Sequence, residues 1–182
     1  MNEVKPLRLL ELVELGEVGA IEEFARTYLP YAYRLALSIL DDPAGADDVA
    51  QDNLLTALER LPSFRGEAAF TTWLYTITLN LCRKRLRKRR SRARLMRLLP
   101  QIFNMHAETQ HPETEVQKVE ADADLWRAIR RLTDLQREVI VLRYYHDLPI
   151  AKISRTTGVS DRTVHNRLRA ALERLRFLLK ER

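Results

Sequence analysis

Arg162, His165, Asn166 and Arg169 recur at i, i+3, i+4 and i+7, the spacing that puts four side chains on one helix face. Asn bonds an adenine edge and Arg a guanine edge, each through two hydrogen bonds, so this face is suited to reading a major groove. Arg155 and Arg167 flank it, where phosphates would lie. A separate stripe of Val164, Leu168, Ala171, Leu172, Leu175 and Leu179 is expected to be buried. Just upstream, residues 149–160 run Pro-Ile-Ala-Lys-Ile-Ser-Arg-Thr-Thr-Gly-Val-Ser. This predicts a short helix, a turn at Gly158 and a Ser160 cap, with Asp161 at the positive end of the next helix dipole. Helix, glycine turn, helix is the helix-turn-helix unit. An ordinary three-helix bundle with a wet polar face is the alternative.

A second constellation lies nearer the middle of the chain. Phe70, Trp73, Leu74, Ile77 and Leu81 make an amphipathic stripe, and Thr72, Thr76, Asn80, Arg83 and Arg87 form a polar ladder opposite it. Before it, Ser63, Phe64, Arg65 and Gly66 read as a loop beside Trp73 and Tyr75. Aromatics next to hydrogen-bonding and cationic groups suit a single-stranded base, at about 1–3 kcal/mol per stacked base. Phe70 and Trp73 read mainly as core, whereas Phe64 is open to either role. On the preceding helix Asp47, Asp48, Gln51, Asp52 and Glu59 give an acidic side, read alone as a solvated face.

Signals for catalysis are poor. There is no phosphate-cradling glycine loop, no Cys/His cluster at zinc spacing and no Ser/His/Asp arrangement, so no cofactor or metal is expected. Cys82 reads as a small packed residue.

Apolar periodicity predicts helix nearly throughout, an all-α chain. Val18, Ile21 and Phe24 open one helix, and Leu35, Ile39 and Leu40 continue it past Pro30 as far as the Asp41-Asp42-Pro43 turn. A further helix spans about 44–61 with Val49, Leu54, Leu55 and Leu58 inward. Residues 98–118, with Pro100, Pro112, His106 and His111, keep no face long enough to bury and read as a linker. They separate a unit of residues 1–97 from one of 119–182, which restarts with Leu125, Ile129 and Leu132, then Leu135, Val139 and Leu142.

Charge alternates along the 182 residues: net −7 over 1–82, +10 over 83–97, −5 over 98–124 and +8 over 125–182, for +6 overall. The basic blocks suit phosphates, whose neutralisation releases condensed counterions. One cysteine excludes an internal disulfide, and the longest uncharged run, 15 residues from Ala68 to Cys82, is short of a membrane span. Glu3, Glu11, Glu14 and Glu17 are unlike the basic start of a signal peptide. A soluble, cytoplasmic helical protein is expected.

Two strings make the chain resemble one family. Ala46-Asp47-Asp48-Val49-Ala50-Gln51-Asp52, with Phe64-Arg65-Gly66-Glu67-Ala68-Ala69-Phe70-Thr71-Thr72-Trp73-Leu74-Tyr75, resembles region 2 of extracytoplasmic-function sigma factors. Leu132-Thr133-Asp134-Leu135-Gln136-Arg137-Glu138-Val139, through Gly158-Val159-Ser160 and Thr163-Val164, resembles region 4 of the same family. The resemblance implies two helical domains, 1–97 and 119–182, that bind bacterial core RNA polymerase and direct it to promoter DNA. It implies that the face with Asp47, Asp48, Gln51 and Asp52 docks on the polymerase clamp helices. Residues 63–68 would capture an unstacked base of the −10 element, which Thr72 and Thr76 adjoin, while Asn80, Arg83 and Lys84 hold the upstream edge of the melting duplex. Arg155, Arg162, Thr163, His165, Asn166, Arg167 and Arg169 would meet the −35 element. A cognate anti-sigma factor is a further implied partner. The family's usual basic-Ser-Arg order is replaced here by His165-Asn166-Arg167, so its −35 sequence does not carry over. Two other readings are an autonomous helix-turn-helix regulator, needing neither the acidic helix nor the Phe64 loop, and a decoy that titrates an anti-sigma partner.

Overall fold

Helix α1 (Val4–Glu14) leads into α2 (Val18–Leu40), α3 (Pro43–Arg60), a 3-10 turn (Leu61–Ser63) and α4 (Phe70–Leu98). The computed structural model describes residues 4–66, 68–98 and 120–180, and among these no strand occurs. Helix α2 runs unbroken through Pro30 and stops at Asp41, which adopts a left-handed φ of 53° and donates its N–H to Leu37 O. Pro43 then opens α3 at its first turn, where its missing N–H costs nothing. Phe24, Tyr28 and Phe70 pack tilted or edge-to-face in the core of this unit, with ring centroids 5.0–5.7 Å apart. Asn53 is buried in α3 and donates to Leu74 O (3.2 Å) and Thr78 Oγ1 (2.9 Å), pinning α3 to α4.

The second unit comprises α5 (Glu120–Arg130), α6 (Asp134–Ile140) with a π turn (Val141–Tyr145), α7 (Ile150–Thr157) and α8 (Asp161–Lys180). Thr133 and Gln136 cap α6 reciprocally, a capping box. Gly158 turns α7 into α8 at φ +74°, a conformation that favours glycine. The Thr163 N–H donates to Ser160 Oγ at 3.3 Å, so the expected cap is present. The expected linker begins at Leu98, the last residue of α4, and otherwise lies outside the described residues.

Several expected core positions face outward instead. Val18 is 73% exposed and Leu55 59%, while Leu125, Leu135 and Leu179 are also exposed, Leu178 taking the inward place on α8. On α8 the inward series Val164, Leu168, Ala171 and Leu175 closes with a step of three residues to Leu178 rather than four to Leu179.

The two units pack on each other. One buried cluster joins Leu35, Ile39, Leu79 and Cys82 to Val139, Leu142, Ile153 and Val164. Across this seam the Tyr75 hydroxyl lies 3.3 Å from His146 Nδ1. Burial, helped by the charge of Arg34, pushes the His146 pKa down to about 4, against about 6.5 in an unfolded chain. The unfolded state therefore takes up a proton that the folded state refuses between those values, and stability falls as pH drops from 6.5 toward 4 while staying flat above. His146→Phe is expected to lessen the drop in thermal midpoint between pH 7 and 4.5, by on the order of 1–2 kcal/mol in stability, measured by circular dichroism melts.

Candidate nucleic-acid interface

The loop after α3 is held by the Ser63 hydroxyl donating to Arg60 O (2.7 Å) and by Gly66, whose φ of +70° suits a residue without Cβ. Phe64 is half-buried, its ring 5.2 Å from Phe70 and 5.3 Å from Trp73. It borders an open cleft of about 260 Å³ lined by Ser63, Arg65, Thr72, Trp73 and Thr76, with Arg155 of α7 at its edge. Arg65 and Gly66 are exposed. The cleft therefore gathers two aromatic side chains, Phe64 and Trp73, with hydroxyls and two guanidinium groups, the equipment for stacking and hydrogen-bonding a single base.

The polar ladder of α4 departs from expectation. Thr72 is only 3% exposed and Thr76 is half-buried, its hydroxyl donating to Thr72 O. The second unit, through α7, packs on this side of α4, so the ladder faces protein at its start and solvent only from Asn80 onward. Asn80 and Lys84 are exposed, whereas Arg83 is bonded to Glu138. Beyond them the basic block continues as helix to Leu98, with Arg87 to Arg94 exposed.

On α3, Asp47, Asp48, Gln51 and Asp52 are all exposed on one side, opposite buried Ala46, Val49 and Ala50. Gln51 donates to Asp47 (2.9 Å), and Arg85 of α4 pairs with Asp48 (2.8 Å). The acidic face is thus partly neutralised at one end and free in water at Asp52.

On α8, Arg162, His165, Asn166 and Arg169 are exposed together, as their spacing predicts. Thr163 is half-buried and its hydroxyl lies 2.9 Å from Ser160 Oγ, so it serves the helix cap. Arg167 is half-buried with its Nη1 enclosed and without a hydrogen-bond partner, unlike the freely flanking arginine expected. Arg155 is exposed, but at the Phe64 cleft rather than beside an open groove-reading face alone.

Sequence reasoning missed Asn53, Glu138 and His146. Their partners lie 21, 55 and 71 residues away, and no local pattern encodes such pairings. Cys82 is a packed core residue, its thiol pushed up to about 12 chiefly by burial. Among the described residues no His, Cys, Asp and Glu cluster could hold a metal ion, and no helix is long and apolar enough to cross a membrane.

Two family models match the chain in order, Sigma-70 region 2 over residues 24–92 and Sigma-70 region 4 over residues 122–175. The chain is 31% identical over 178 residues to the ECF RNA polymerase sigma factor SigM of Mycobacterium tuberculosis, covering 98% of this chain and 86% of SigM. It is 30% identical over 176 residues to the ECF sigma factor BldN of Streptomyces coelicolor, covering 94% of this chain and 66% of that longer protein. Its fold matches the sigma factor RpoE in a co-crystal with the anti-sigma factor NepR from Bartonella quintana, at a TM-score of 0.67 and 25% identity, covering 90% of this chain and 98% of RpoE. The acidic helix, the aromatic loop and the helix-turn-helix thus stand in one chain in the order of both sigma regions, and the protein belongs to the ECF RNA polymerase sigma factors.

Proposed function

We propose that this chain, an alternative sigma factor and not an enzyme, works in the cytoplasm by joining core RNA polymerase and directing it to a two-part promoter. In this reading residues 1–97 form the polymerase- and −10-binding domain and 119–182 the −35-binding domain. The exposed acidic side of α3, with Asp47, Asp48, Gln51 and Asp52, meets the polymerase clamp. The observation that carries the reading is the Phe64 cleft with its hydroxyl and arginine lining. Extruding a base costs a few kcal/mol, and a cleft that captures it offsets part of that cost, so strands open without ATP. Asn80, Arg83 and Lys84 hold the upstream duplex, while Arg162, His165, Asn166 and Arg169 read the −35 element. An anti-sigma partner is part of the proposal, on the strength of the RpoE co-crystal with NepR.

The test is run-off transcription with sigma-free core polymerase on a genomic fragment library, sequencing transcript 5′ ends. Starts clustered below a shared two-block motif support the reading. Duplex binding without polymerase and without specific starts would favour an autonomous regulator. Within the same assay, Asn166→Ala is expected to relax preference at one −35 base pair, by about 1–3 kcal/mol of discrimination. Equal loss on matched and mismatched −35 sequences would remove Asn166 from base reading.

A further inference from the structure

The first turn of α3 gives up two local sources of helix stability at one point. Asp42 holds the N-cap position, which favours aspartate because its carboxylate can accept from the turn that follows, yet its side chain makes no cap bond. Three residues on, buried Gly45 stands inside the helix, where glycine is weaker than alanine. Local choices that oppose the fold gather where a site needs something else.

Arg85 of α4 is what both choices accommodate. Its Nη1 pairs with Asp48 Oδ2 at 2.8 Å and its Nη2 lies 3.9 Å from Asp42 Oδ2, so one guanidinium bridges a carboxylate on either side of Gly45. A Cβ at position 45 would fall 2.8 Å from Arg85 Nε and closer still to Asp42 Oδ2, well inside the separation of about 3.5 Å at which nonbonded atoms settle. The bare Gly45 Cα is therefore the seat of the guanidinium. Arg85 and Asp42 are half-buried and Asp48 is exposed. A pair so open to water adds little to folding stability; what it changes is the freedom of Asp48. Next to it, Asp47 accepts from Gln51 at 2.9 Å, so two neighbouring carboxylates of the acidic side are held before any partner arrives.

We propose that Arg85, seated on Gly45, is a positioning residue for polymerase docking: it fixes the Asp48 carboxylate in the orientation that meets a cation of the polymerase. The inference rests on the proposed docking of the acidic side of α3. Holding a side chain in place beforehand removes the ordering that the complex would otherwise require. For one rotamer-rich side chain that ordering amounts to about 2- to 10-fold in affinity, expressed mostly in the dissociation rate. A role through charge alone predicts the reverse. A guanidinium on an acidic face repels a basic partner, so losing it would speed association and tighten the complex.

The experiment follows association and dissociation of the full chain with purified core polymerase by biolayer interferometry, beside thermal melts. Gly45→Ala keeps every charge, and the atoms it displaces belong to side chains that can swing into water. Its thermal midpoint is expected to match or exceed the wild type, since alanine is the better helix former. Its dissociation should nonetheless speed about 2- to 10-fold with association unchanged. That combination separates positioning from support of the fold. Arg85→Met is expected to speed dissociation by the same factor. Gly45→Ala added to Arg85→Met should change nothing further, because the glycine acts only through the guanidinium. If Gly45→Ala melts lower, Arg85→Met, which leaves the α3 backbone untouched, carries the test. Wild-type dissociation in Arg85→Met would overturn the proposal, as would tighter binding by it or additive losses in the double variant. Weak binding by the Asp48→Arg, Asp52→Arg reversal, with wild-type binding by Gly45→Ala and Arg85→Met, would leave the docking face standing and strike the positioning role. Wild-type binding by all of them would strike both.

Discussion

Reversing Asp48 and Asp52 together to arginine is expected to weaken binding to core RNA polymerase at least about 100-fold. Close charge pairs across protein interfaces couple by about 1.5–7 kcal/mol, and each 1.4 kcal/mol is a factor of ten. The substitution replaces attraction by repulsion at two points, so the low end of that range already suffices. Folding should survive it. Both side chains are exposed, and the inward residues Ala46, Val49 and Ala50 are untouched. Asp48 gives up its pair with Arg85, a contact between exposed groups of the kind that contributes about 0–1 kcal/mol. Glu59→Arg, on the exposed side of the same helix three turns further on, is the matched control and should bind like the wild type. The check is fluorescence anisotropy of labelled protein titrated with core polymerase at two salt concentrations. Wild-type affinity for the double reversal would return the acidic side of α3 to a merely solvated face.

The periodicities of α4 and α8 were legible because each carries a long apolar stripe, and Phe70, Leu74, Ile77, Val164, Leu168 and Ala171 are buried as those stripes predict. The helix-turn-helix was legible for a different reason: a glycine at positive φ followed by a capping serine is a local signal, complete within residues 158–163. Elsewhere local signals ran out. Thr72 and Thr76 look like a wet face in sequence, but a helix gripped by α2 and α3 on one side and α7 on another has little wet face at its start. The ten basic residues of 83–97 are equivalent as a pattern. Only the fold distinguishes Arg83, bonded to a buried carboxylate, and Arg85, paired to Asp48, from the exposed Arg87 to Arg94. Asn53 reads as a polar residue on an acidic helix, yet it is buried and bonds two groups of α4, because hydrogen bonding makes burial of a polar group affordable only once its partner is in place. Residue type and spacing thus identified the groups with chemistry, while tertiary packing decided which of them are free to use it.

Truncating Phe64 to alanine is expected to lower open-complex formation on an intact duplex promoter about 10- to 100-fold, with little change in binding to a −35 duplex alone. Phe64 presents one ring beside the cleft while Phe70 and Trp73 brace it at 5.2 and 5.3 Å. Loss of the ring removes a stacking partner worth about 1–3 kcal/mol, and it does so where a base must first leave its stack. The defect should therefore shrink severalfold on a template mismatched across the −10 element, because the cost of unpairing is already met there. Phe64→Tyr should retain most activity on both templates. Permanganate reactivity of unpaired thymines measures opening directly, and transcript yield measures its consequence. A structural role makes a different prediction: a half-buried ring braced by two others also supports the core, so its removal would lower the thermal midpoint and reduce activity equally on duplex and mismatched templates. Template dependence is what separates the two. A defect of the same size on both templates, accompanied by a lower midpoint, would assign Phe64 to the core with Phe70 and leave the base-capturing role to other groups at the cleft.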